Sequence, residues 1–165
     1  GHIVRHLARV GICALRGGHK RLSNHTSAPP ILLTIAGFDP SGGAGIAADL
    51  KTFAAHNCYG MAVVTALTVQ STQGVKSTHI TPAATLRAQI ETLLEDAAIA
   101  AVKVGMLGNL ANATVVAKVL DQAKFPFVVL DPVARAQGIA FQQAVAVLGL
   151  VHDVGRDQGG HAPVR

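Results

Sequence analysis

Between Thr34 and Phe53 the chain reads TIAGFDPSGGAGIAADLKTF, which sets Asp39 and the glycines Gly37, Gly42, Gly43 and Gly45 between an apolar run and an amphipathic one. A glycine-rich junction of this kind can cradle a phosphate, bind a dinucleotide or line a close-fitting pocket, and the neighbouring residues separate the three. A nucleotide P-loop needs a lysine and a hydroxyl directly after its last glycine. Here no lysine follows until Lys51, inside the next helical pattern. Gly43, Gly45 and Ala48 satisfy a dinucleotide GxGxxA pattern, but no Asp or Glu stands between Asp49 and Glu91 to hold a ribose about 20 residues on. Gly43 and Gly45 by themselves are also what a tight turn and close helix packing require. Asp39 adds chemistry to the turn. Its carboxylate can accept hydrogen bonds from a polar ring or from backbone amides, and Asp beside Pro40 is equally ordinary turn chemistry.

The elements that must position these residues follow from periodicity. Ile31 to Ala36 reads as a buried strand, and Ile46, Leu50, Phe53 and Ala54 share one face of the helix after it. Gly60 to Val69 is a nearly continuous apolar run, expected of a strand covered on both faces, and QSTQG ends it. Thr81 before Pro82 predicts a helix N-cap and first-turn proline, with Leu86, Ile90, Leu93 and Leu94 as the inward stripe of a helix ending near Ala97. Ile99 to Gly105 is the next strand. A helix over Ala113 to Ala123 turns Val115, Val116, Val119 and Leu120 inward, and Phe125 to Asp131 is a further strand. Strands and helices alternating over short links predict parallel strands with right-handed crossovers, an α/β sandwich whose ligands gather at the carboxyl ends of the strands. Gly37 to Asp39, Gln70, Met106 and Asp131 to Val133 lie at those ends.

The chain has 165 residues, half of them hydrophobic, which suffices for one globular core. Residues 1–30 hold Arg5, Arg9, Arg16, Lys20 and Arg21 without an acid and so carry all of the net charge of +5, leaving a neutral body that gives no sign of nucleic-acid binding. This segment reads as a basic, disordered leader, with a mitochondrial or plastid presequence as the alternative. Its His2 and His6 have metal-like spacing but no third ligand. No apolar stretch reaches membrane-spanning length, and Lys103 interrupts the best candidate. Cys13 and Cys58 form neither a CxxC nor a zinc spacing, a pattern that fits a reducing, cytoplasmic compartment. Residues 134–165 read as a tail rich in glycine and charge toward the end.

Taken together, TIAGFDPSGGAGIAADLKTFAAHNCYGMAVVTALTVQSTQGV, AVKVGMLG and VVLDPV, in this order between Ile31 and Val133, resemble the hydroxymethylpyrimidine/phosphomethylpyrimidine kinases of thiamine biosynthesis. The resemblance implies a ribokinase-like three-layer sandwich with a mainly parallel sheet, and ATP-dependent phosphorylation of hydroxymethylpyrimidine and then of its monophosphate, with Mg2+. Pyridoxal phosphorylation and non-catalytic pyrimidine binding are the alternatives. It implies that Gly37 and Ala44 touch the aminopyrimidine, with Asp39 in the same turn. Gln70 would hydrogen-bond the ring nitrogen and amino group, Met106 and Val133 would pack on the ring faces, and Asp131 would lie near magnesium and triphosphate. The departures lie after Val133, where Ala134 replaces a family methionine and the family's Lys-Ser-Gly and Gly-Thr-Gly-Cys stretches are not found. No catalytic residue is therefore assigned. The kinase domain, over residues 31–133, is expected to be incomplete at its C-terminus and inactive alone, with an uncovered apolar edge that favours homo-oligomers.

Overall fold

The structure, a computed structural model, describes residues 28–131. The leader beyond its last few residues, the tail and Val133 lie outside that range. Five strands form one sheet in the order β3-β2-β1-β4-β5. The central strand β1 (Ile31–Phe38) buries Leu32 to Gly37 without a break, because helices cover both of its faces. It pairs in parallel with β2 (Tyr59–Ser71) on one side and β4 (Ile99–Val104) on the other, and β5 (Val128–Leu130) continues the parallel order.

The alternation of β1 sorts the two layers. Leu33 and Ile35 point to one face, where they meet Leu86 and Ile90 of α2 (Ala83–Asp96) and Val116, Val119 and Leu120 of α3 (Leu110–Ala123). Leu32 points to the other, where Phe53 of α1 (Gly45–Ala55) packs with Cys58 and Ala101. This is the expected three-layer α/β sandwich. Ala54, expected on the inward face of α1, is exposed, and the buried stripe is Ile46 and Phe53. The third helix starts at Leu110 because Asn109 caps it, its side chain accepting from Asn112 N–H at 2.8 Å. The fifth strand is shorter than the apolar run that suggested it, beginning only at Val128.

The strand β3 (Gly74–Ile80) departs from expectation. QSTQG is a hairpin turn and not the start of a crossover: β2 runs on to Ser71, pairs Ser71 with Gly74, and β3 returns antiparallel along it. The sheet is mainly parallel, with one antiparallel edge. Apolar periodicity did not reveal β3 because most of its residues face solvent and only Val75 and Ile80 are apolar. For the same reason β2 is not covered on both faces over its whole length, and Leu67 and Val69 are about half exposed. Thr81 is not the cap of α2; Pro82 holds that position, and the Thr81 hydroxyl donates to Val64 O at 2.7 Å, closing the hairpin onto β2. Among the described residues no helix is long and apolar enough to cross a membrane.

Asn112 ties three connections together. Fully buried, its amide donates to the carbonyls of Thr65 (3.4 Å), Thr81 (3.2 Å) and Leu107 (3.2 Å). Asn112→Ala leaves these carbonyls without that donor inside the core and is expected to cost about 3 kcal/mol. Urea unfolding of the variant checks this through a lowered midpoint at unchanged slope.

Candidate functional site

The candidate residues gather where β1 and β4 end. Gly45, at the start of α1, adopts φ +56° and lies so close to Gly37 that a Cβ would strike the Gly37 carbonyl. Only glycine meets both demands, and the close approach folds the turn back over the end of β1. The loop is closed by Asp39, itself buried. Its Oδ1 accepts from Ser41 N–H (2.8 Å) and the Ser41 hydroxyl (2.7 Å), and its Oδ2 accepts from Ala44 N–H (3.0 Å). Of the two readings the sequence left open, backbone amides are the partners found. The Ser41 hydroxyl, with the N–H groups of Ser41, Ala44 and Gly43, holds the Asp39 carboxyl below its ordinary value of 3.8, against the opposing effect of burial.

Gly37 and Met106 are brought together. A Cβ on Gly37 would collide with the Met106 methyl, so the thioether lies directly on the backbone of β1. Gln70 lies at the carboxyl end of β2, one residue before its last, Ser71, and not just after the strand as expected. It sits inside β2, one step after a register shift between Val69 and Gln70, and its Oε1 accepts from the Thr68 hydroxyl at 3.2 Å. The one hydroxyl proton of Thr68 is shared with Phe38 O, the nearer acceptor at 2.8 Å, so Thr68 stands between Gln70 and the end of β1. Ala44 is exposed in the turn.

Sequence reasoning passed over Lys103, treating it as a mere interruption of an apolar run. It stands beside Thr34 on the α1 face of the sheet and is buried. Its ammonium is 3.0 Å from Asp49 Oδ2 and 3.3 Å from Asp131 Oδ2, while the Thr34 hydroxyl donates to Asp49 Oδ2 at 2.7 Å. The signal was available: a lysine in the middle of a covered parallel strand must find a counter-charge. Asp131, its N–H bonded to Val104 O at 2.8 Å, is 65% exposed and so presents carboxylate to solvent as well as to Lys103. Val133 cannot be placed, lying outside the described residues.

A mainly parallel sheet between helical layers, with a glycine turn, a thioether and an acid at its carboxyl edge, is the frame of ribokinase-like small-molecule kinases. Solved structures agree. The Clostridium difficile phosphomethylpyrimidine kinase superposes with TM-score 0.65 at 39% identity, over 72% of this chain and 53% of that one. A Bacillus subtilis pyridoxal kinase gives 0.64 at 34%, over 72% and 46%. The family profile described as phosphomethylpyrimidine kinase matches residues 39–146, beyond Val133, and the chain belongs to that family. The hydroxymethylpyrimidine/phosphomethylpyrimidine kinase of Haemophilus influenzae is 46% identical over 120 residues, 71% of this chain and 45% of the relative. That of Aquifex aeolicus is 47% identical over 107 residues, 65% and 42%. The chain thus spans less than half the length of these two relatives.

Two outcomes follow from the site's electrostatics. Because the Asp39 carboxyl titrates lower in the folded chain than its ordinary value, its stabilising contribution is complete above pH 3.8 and is lost as pH falls through the lowered value. Thermal unfolding should show Asp39→Asn less stable than the parent by a constant margin from about pH 5 to 7, the margin closing under acid. Lys103→Met leaves Asp49 as an uncompensated, largely buried charge and should cost about 3 kcal/mol, whereas Lys103→Met with Asp49→Asn recovers most of it. Denaturant melts of the two variants check the difference.

Proposed function

We propose that this chain carries the acceptor half of a kinase that phosphorylates the hydroxymethyl group of 4-amino-5-hydroxymethyl-2-methylpyrimidine and then the resulting monophosphate. The observation that carries the reading is the contact of Gly37 with Met106 at the carboxyl edge of the sheet, the edge at which Asp131 follows β5. The missing Cβ of Gly37 lets the Met106 methyl seat on β1, and the thioether so placed offers a polarizable wall to a flat ring. In this reading Gly37, Ala44 and Met106 contact the ring, and Val133 adds to the packing. Gln70 offers a donor and an acceptor together, which suits a ring nitrogen next to an amino group. Asp39 keeps the turn in shape from behind.

ATP and Mg2+ belong to this proposal. Among the described residues no cluster of three potential metal ligands occurs. Magnesium takes one or two acids and completes its shell with phosphate oxygens and water. Asp131, largely exposed at the strand end, would be the acid. ATP supplies the phosphoryl group, and magnesium offsets its charge. The protein's part is to orient the ring so that the hydroxymethyl oxygen faces the Asp131 side. A cytoplasmic setting and self-association complete the reading.

The likeness to pyridoxal kinases of known structure favours a second acceptor, pyridoxal, which shares a flat ring with a hydroxymethyl substituent. Calorimetry of the purified chain with hydroxymethylpyrimidine and with pyridoxal separates the two. Saturable pyrimidine binding, weakened about tenfold by Gln70→Ala, is the expected result. Preferential pyridoxal binding would install the second acceptor, and binding of neither would remove the acceptor pocket from this chain. An ATP turnover assay on the same sample shows whether the chain catalyses or only binds.

A further inference from the structure

The loop after β4, Gly105 to Asn109, carries Met106 but has no regular structure. Its backbone is held from outside. Gly105 N–H donates to Ile35 O at 2.9 Å, Leu107 O accepts from Asn112, and the Met106 carbonyl accepts from the hydroxyl of Thr65. Thr65 is fully buried in β2, and its own carbonyl accepts from Thr81 N–H and from Asn112. A β-branched side chain in a buried strand has little rotamer freedom, so this hydroxyl is a fixed peg driven from β2 into the loop. The Met106 methyl lies on Gly37, and the peg sits on the carbonyl of the same residue. A change at the carbonyl therefore changes the height of the thioether above β1.

We propose that Thr65 is a positioning residue of the acceptor pocket, holding the Met106 thioether against Gly37 so that its outer side forms one fixed wall for a flat heteroaromatic ring. The inference rests on the reading of Met106 as a ring contact. Thr65 does not touch the ring; it acts through the loop. Thr81 supplies an internal comparison. Its hydroxyl also makes a partly buried bond to a backbone carbonyl, that of Val64, but the bond leads to the hairpin and not to Met106.

The test uses Thr65→Val, Thr65→Ser, Thr81→Val and Met106→Ala in the full chain, with hydroxymethylpyrimidine affinity by calorimetry and melting temperature read together. Thr65→Val is expected to weaken binding about five- to tenfold, Thr65→Ser to stay within about twofold because the hydroxyl is retained, and Thr81→Val to lower the melting temperature without weakening binding. The chain has two methionines, Met61 and Met106, so labelled methionine methyl groups give a second readout. The Met106 signal should shift in unliganded Thr65→Val and stay in place in Thr81→Val. Thr65→Ala replaces the valine variant if that one does not fold. If Met106→Ala weakens binding while Thr65→Val leaves affinity and the methyl signal unchanged, the positioning role is wrong and the pocket reading stands. If Met106→Ala binds as the parent does, the ring contact itself falls, and the inference with it.

Discussion

A single buried positive charge constrains much of this fold. Lys103 occupies a covered strand next to the centre of the sheet, where an unpaired ammonium is not tolerated. Its answer comes from Asp49 on α1, whose carboxylate is also steadied by Thr34 on β1. Those bonds fix which side of α1 faces the sheet. Once α1 is fixed, its first residue, Gly45, must stand against the Gly37 carbonyl, and the glycine turn has one place to go. The second counter-charge, Asp131, is reached from the same ammonium, so the turn and the acid at the end of β5 share an anchor.

How much of this was legible depended on how strongly each element is buried. β1, α2 and β4 announced themselves through unbroken apolar runs or 3.6-residue spacing, since water is excluded from one or both of their faces. β3 did not, because an edge strand with solvent on most of its length needs no apolar alternation and is held by backbone pairing that leaves no mark in side-chain chemistry. Missing β3 moved the end of β2 by two residues, from Val69 to Ser71, and left Gln70 near the strand's carboxyl end all the same. Asp39 was legible as important and ambiguous in its role: the same carboxylate can serve a ligand or a turn, and what the sequence did not show is that Ser41 and Ala44 stand where they donate to it. Lys103 was legible in principle, through the rule that a buried charge implies a partner, but Asp49 lies 54 residues away in sequence and no spacing rule connects them.

The polar groups inside the core divide the same way. Thr65 and Asn112 hydrogen-bond to backbone carbonyls of segments that leave regular structure, and Thr81, itself just past β3, bonds back to Val64 O inside β2. An apolar core would hold the sheet and helices without them. What they add is register for the loops at the carboxyl edge, where the backbone has no ladder of its own to keep it in place. The unpaired Oδ1 of Asn112 is a cost of this arrangement, accepted because its amide serves three carbonyls at once.

The same accounting explains why the glycine turn is a poor phosphate cradle even though it opens a helix. A phosphate at a helix N-terminus needs free N–H groups and the absence of competing negative charge. At this turn the N–H groups of Ser41 and Ala44 already donate to the Asp39 carboxylate, and the nearest lysine, Lys51, exposed on α1, donates to Gly42 O. An incoming anion would have to displace an internal carboxylate whose affinity for its proton has been lowered by those very bonds. A neutral, flat ligand meets no such competition. The turn's electrostatics, with its N–H groups spent on Asp39, therefore disfavour a phosphate more than they disfavour a neutral ligand.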